Sequence, residues 1–166
     1  MQLHKYNYYI CMYKCCSNMN VEAVIKTKTT IPLPQRTIIH LTLVNNKIAE
    51  ELGNALKPFG VSLQQFNVLR ILRGQQGKPA NMSTLNERMV RKMSNTTRLV
   101  DKLLAKGYVD RVVCESNRRK VEISITDKGK EALAGMDKAV SAAEADLVAQ
   151  LNGEEMKALN LLLDKF

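Results

Sequence analysis

From about residue 36 onward, apolar residues return at helical spacing, and the pattern gives way to strand-like runs at one place. Ile38, Leu41, Ile48, Leu52 and Leu56, with Val44 and Ala49 alongside, make a stripe of helical period. It stops at Lys57-Pro58-Phe59-Gly60, because proline cannot continue the backbone ladder and glycine favours a reversal. The spacing predicts an amphipathic helix of about 20 residues that begins near Arg36 or Thr37. The preceding residues 21–35 are β-branched and carry Pro32 and Pro34, so an extended arm is expected there.

Ser62 and Gln65 are spaced as a capping box and open a helix with Phe66, Leu69 and Leu72 inward, ending at Gly74. The Gly- and Pro-containing residues 73–82 read as a loop. Ser83 is the expected N-cap of a short helix to about Val90, with Leu85 and Met89 inward. Arg91-Lys92-Met93 makes the turn, Ser94 or Asn95 caps the next helix, and Gly107 ends it after Lys106. Two helices joined this tightly must cross steeply. Two β-branched runs around residues 108–114 and 120–126 then form a hairpin with Arg118, Arg119 and Lys120 near its tip. Thr126 caps a helix from Asp127 to near Gln150 with Leu133, Met136, Val140 and Leu147 on one side. Asn152 caps a last helix rich in apolar residues: Met156, Leu159, Leu162, Leu163 and Phe166. The outline of residues 83–126 is that of a winged helix-turn-helix, a module that reads duplex DNA. The fold class is mainly α with a small β-hairpin wing.

Projecting the second helix of this unit at 100° per residue separates two faces. Thr96, Leu99, Val100, Leu103 and Leu104 share an arc of about 140°, and Asn95, Arg98, Lys102 and Lys106 an arc of about 80° opposite. A basic stripe alone fits a solvated surface equally well. Ser94, Asn95, Thr96 and Thr97 at its N-terminal end tip the balance, because short hydrogen-bonding side chains reach base edges without filling the major groove. Adjacent cations at the hairpin tip repel one another unless groove phosphates neutralise them. The candidate DNA-binding residues are therefore Ser83, Arg91, Lys92, Ser94, Asn95, Thr96, Thr97, Arg98, Lys102, Arg118, Arg119 and Lys120.

Charge agrees with this reading. The 166 residues hold 25 Lys and Arg against 16 Asp and Glu, a net charge of +9 that draws the molecule to polyanions. The balance is +7 over residues 1–82, +5 over 83–126 and −3 over 127–166, so the C-terminal part is not the polyanion-binding face. The length suits one domain, and neither a repeat nor a membrane-length apolar run is present. Cys11, Cys15, Cys16 and Cys114 form no CxxC pair, and a reduced, cytoplasmic setting is the simpler expectation. Four of the five tyrosines and three of the four cysteines precede Ser17, in a leader without the apolar core of a secretory signal. His4 with Cys11, Cys15 and Cys16 matches no zinc spacing. A weakly structured extension is the expectation for the leader, with a start at Met19 as the alternative that an intact mass would test. Both histidines, His4 and His40, lie before the central unit, no Gly-rich phosphate loop exists, and no Ser–His–acid set can be assembled, which argues against an enzyme and against a metal or cofactor.

The string from Gln64 to about Leu133 resembles the MarR family of winged helix-turn-helix regulators. The resemblance rests on QFNVLRIL, STLNERM, SNTTRLVDKLLAKGYVDR and NRRKVEISITDKGKEAL, with Tyr108, Arg111 and the Ile125-Thr126-Asp-Lys-Gly129 helix start at the family's positions. Asn117 stands where the family has the wing Asp that helps hold neighbouring basic side chains, and Arg119 occupies the wing-tip Arg position. The resemblance implies a homodimer in which the first helix and the last two interlock across a two-fold axis, with two reading helices about one DNA turn apart. It also implies a ligand-responsive repressor with a small aromatic or phenolic effector. The expected organisation is a weakly structured extension over 1–35, a dimerisation helix over 36–60, the DNA-binding lobe over 61–126 and C-terminal dimerisation helices over 127–166. A winged-helix protein–protein module without DNA is the alternative, and it needs no basic reading face.

Overall fold

The computed structural model describes residues 19–89, 95–113 and 121–166. They fall into two compact units that divide between Lys47 and Ile48. In the first, α1 (Val21–Val24) is capped by Asn20, whose Oδ1 accepts from Ala23 N at 2.9 Å. Arg36 donates to Glu22 through Nε at 2.7 Å, and this hydrogen bond holds the Glu22 carboxyl below its ordinary pKa. Helix α2 (Leu33–Leu56) begins at Leu33 rather than near Arg36. Residues 21–35 are thus not wholly extended. Pro32 precedes α2 and Pro34 lies in its first turn, where backbone N–H groups have no intrahelical partner and a missing one costs nothing.

The second unit holds the core. A 3₁₀ turn (Lys57–Phe59) ends at Gly60 with φ 60°. Helix α3 (Leu63–Gly74) opens with the expected capping box: Ser62 Oγ accepts from Gln65 N at 3.3 Å and Gln65 Oε1 accepts from Ser62 N at 2.9 Å. Phe66, Val68, Leu69 and Leu72 of α3 are buried, and each such side chain contributes roughly 1.5–3 kcal/mol on leaving water. They pack in one cluster with Leu85 of α4 (Met82–Arg88), Leu99, Val100 and Leu103 of α5 (Thr96–Ala105), and Leu133, Met136 and Val140 of α6 (Asp127–Val148). Arg73 of α3 also pairs with Asp137 of α6.

Strands β1 (Val109–Val113) and β2 (Val121–Ile125) are antiparallel, with Val109 opposite Ile125, Arg111 opposite Ile123 and Val113 opposite Val121. Ile123 and Val109 are both buried, which attaches the hairpin to the core by one face. Within the expected 73–82 loop, Ala80 adds a third partner to the hairpin: its N–H donates to Ile123 O at 2.9 Å and its carbonyl accepts from Ile123 N at 2.8 Å. Helix α7 (Gly153–Leu163) starts at Asn152 with a capping box to Glu155. No helix among the described residues is long and apolar enough to cross a membrane.

Candidate nucleic-acid interface

Helix α5 shows the two faces expected of it. Thr96, Leu99, Val100 and Leu103 are buried, whereas Asn95, Thr97, Arg98 and Lys102 are exposed and Lys106 is half-buried. Thr96 departs from its expected role. It is 2% exposed, and its hydroxyl donates to Asn86 Oδ1 of α4, so it belongs to the packing between the two helices and not to the outward face. A 100° step per residue places Thr96 on the apolar arc, and that position outweighs the small polar side chain that suggests an outward role.

Ser83 is also displaced from its expected position. The N-cap of α4 is Asn81, whose Oδ1 accepts from Thr84 N at 2.9 Å, while Ser83 lies inside the first turn and donates to Glu87 at 3.2 Å. Asn81 carries the same spacing signal as Ser83, since an Asx residue accepts from the backbone three residues on. Ser83 remains exposed. Asn95 precedes α5 without a side-chain cap bond. Arg91, Lys92, Ser94, Cys114, Asn117, Arg118, Arg119 and Lys120 lie outside the described residues.

The C-terminal end of α5 is tied to the wing and to α6 by several bonds. Gly107 takes φ 70°, and Gly107 N donates to Leu104 O at 2.8 Å while Tyr108 N donates to Leu103 O at 3.0 Å, the paired bonds of a Schellman end. Thr126 Oγ1 donates to Gly107 O at 2.8 Å and accepts from Gly129 N at 2.9 Å, so one hydroxyl fastens the end of α5 to the start of α6. Lys128 Nζ donates to Lys106 O at 2.9 Å, placing a cation at the negative end of the α5 dipole. Gly129 allows this approach: a Cβ there would sit inside the Tyr108 carbonyl oxygen and 2.9 Å from Ile125 Cγ1.

An ion pair unforeseen in the sequence joins α5 to the wing. Arg111 of β1 donates to Asp101 of α5 at 3.3 Å, with both side chains substantially exposed. An exposed pair of this kind contributes at most about 1 kcal/mol. Its role is geometric: it supplies Arg111 with an acidic partner from α5, whereas the family pattern assigns a wing Asp where this chain has Asn117. Among the described residues no group of three His, Cys, Asp or Glu side chains could hold a metal ion.

Residues 61–121 match the family model described as MarR family. The transcriptional repressor MprA of Escherichia coli K12 is 28% identical over 90 residues, 54% of this chain and 51% of MprA. The chain thus spans about half the length of that relative. The HTH-type transcriptional regulator PecS of Dickeya dadantii is 28% identical over 135 residues, 80% of each protein. Among solved structures, a MarR-like transcription regulator from Bacillus cereus superposes with a TM-score of 0.72 at 26% identity, covering 81% of this chain and 96% of its own. A mutant MarR of Escherichia coli complexed with operator DNA gives 0.67 at 26% identity, over 80% and 93% of the two chains.

Proposed function

We propose that this chain, which is similar to MarR-family winged-helix regulators over residues 61–121, represses transcription as a homodimer on a pseudo-palindromic duplex site, under the control of a small aromatic or phenolic effector. The observation that carries the proposal is helix α5, with one buried apolar face and one exposed polar face bearing Asn95, Thr97, Arg98 and Lys102. The operator complex of the similar Escherichia coli MarR supports duplex DNA as the partner of that face. In this reading Ser94, Asn95, Thr97, Arg98 and Lys102 approach the major groove, Ser83, Arg91 and Lys92 the flanking backbone, and Arg118, Arg119 and Lys120 the adjacent minor groove.

A homodimer is supported by apolar surface left uncovered in one chain. Leu161 and Phe166 at the end of the molecule are 67% and 82% exposed, and Ile38 on α2 is 56% exposed. Apolar area of this kind is more stable covered than hydrated. The test is a gel shift with random genomic duplex in moderate salt, followed by titration at several salt concentrations. Arg119→Ala is expected to weaken binding to all sequences and to lower the salt slope by about one, as for a phosphate contact. Thr97→Ala and Arg98→Ala are expected to change which bases are preferred. Absence of any shift at low salt would favour the winged-helix protein–protein module instead.

A further inference from the structure

Helix α5 is held at its N-terminus differently from its neighbours. Asn20, Ser62, Asn81, Thr126 and Asn152 each accept a backbone N–H from the helix that they begin. Asn95, in the same place on α5, has φ −120° and ψ 25° and makes no such bond. The end is fastened sideways: Thr96, the first residue of α5, is 2% exposed and its Oγ1 donates to Asn86 Oδ1 on α4. Asn86 is itself exposed and lies on the helix before the turn.

From this arrangement we infer that Asn86 is a positioning residue for DNA recognition: through Thr96 it sets the rotation and reach of Asn95, Thr97 and Arg98. The inference rests on the duplex-reading role proposed above. An α-helix turns 100° and rises 1.5 Å per residue, so the side chains flanking Thr96 move rigidly with it. A hydrogen bond to a base edge is made over only about 2.7–3.2 Å. The bond from α4 restrains the end that carries the shortest reading side chains. A directional polar contact made by a buried Thr96 also selects one arrangement of two packed helices where an apolar contact would accept several.

The test uses the full-length protein and a duplex that it enriches from a random-sequence library, compared with a scrambled duplex of equal composition at one salt concentration. The ratio of the two dissociation constants is the readout, because a uniform electrostatic change largely cancels in it. Asn86→Ala and Thr96→Val are each expected to lower the ratio by about fivefold to tenfold, the worth of one hydrogen bond. The double variant should lose no more than either single one. Asn86→Asp, which keeps the acceptor, should hold the ratio near the wild-type value while lowering both affinities. Melting temperatures should fall by only about 2–4 °C; if Asn86→Ala unfolds, Asn86→Ser, too short to reach Thr96, is held to the same expectation. An unchanged ratio in the Ala or Ser variant, or losses that multiply in the double variant, overturns the inference alone. A wild-type chain that enriches no duplex overturns the proposed function and this inference with it.

Discussion

Thr126 and Gly129 show how single residues fasten helix α5 to its surroundings. The Thr126 hydroxyl serves two elements at once, as donor to Gly107 O and acceptor from Gly129 N. Thr126→Val keeps the shape and removes both bonds, so a loss of about 1–2 kcal/mol in unfolding free energy is expected from denaturant titration, beyond that of an ordinary cap. Gly129 is required by space and not by backbone angle, because its missing Cβ is what admits the Tyr108 carbonyl. Gly129→Ala should destabilise by about 1–3 kcal/mol through overpacking, where a glycine in an open helix would gain from the same change. Thermal melting of the two variants beside Gly53→Ala, where a Cβ meets nothing within 4 Å, checks this. The Thr126 cap was legible as a threonine before an acidic helix start. The Gly129 requirement was not, since it depends on a strand end far away in sequence.

At the scale of elements, amphipathic spacing identified α3, α5 and α6 with their inward residues, and β-branching identified the two strands. Local signals were weaker at the ends. Asn81 and Ser83 compete to cap α4, and Asn81 prevails because its side chain reaches Thr84 N. Prolines suggested an extended arm, yet Pro34 fits the first turn of α2 and α1 forms ahead of it. That region has a pH signature. The Arg36 hydrogen bond lowers the Glu22 pKa in the folded state, so the pair contributes above the ordinary carboxylate value of 4.5 and its contribution is lost as pH falls through the lowered value. Amide protection in residues 21–36, taken relative to the intrinsic exchange rate at each pH, is expected to fall on acidification through that window in the wild type. The fall should be smaller in Glu22→Gln, and an equal fall in the two proteins would count against the pair. The exposed pair is screened by solvent, so the effect is local.

At the scale of the whole molecule, exposed apolar residues are concentrated on helices that flank residues 61–126 in sequence. Leu159, Leu161, Leu162, Leu163 and Phe166 are all exposed at the C-terminal end, as are Ile38, Val44 and Ile48 on α2. The proposed homodimer would cover them. Leu162→Glu should shift the protein from dimer to monomer in analytical ultracentrifugation. It should also reduce affinity for a two-half-site duplex by about 100-fold or more, because the second half-site is then no longer bound intramolecularly. A Leu162→Glu protein that stays dimeric would exclude this face from the interface.

What the amino-acid order determined by itself was the run of elements, the inward face of each helix and the separation of a basic lobe from an acidic C-terminal part. Those features follow from periodicity, caps and charge, all carried by residues within a few positions of one another. Only the tertiary structure decided that Thr96 is spent on packing against Asn86, that Asp101 holds Arg111, that Ala80 joins the hairpin, and that Gly129 must lack a side chain. Each of these depends on which distant segment arrives at a given face, and neither helical period nor residue type encodes that partner.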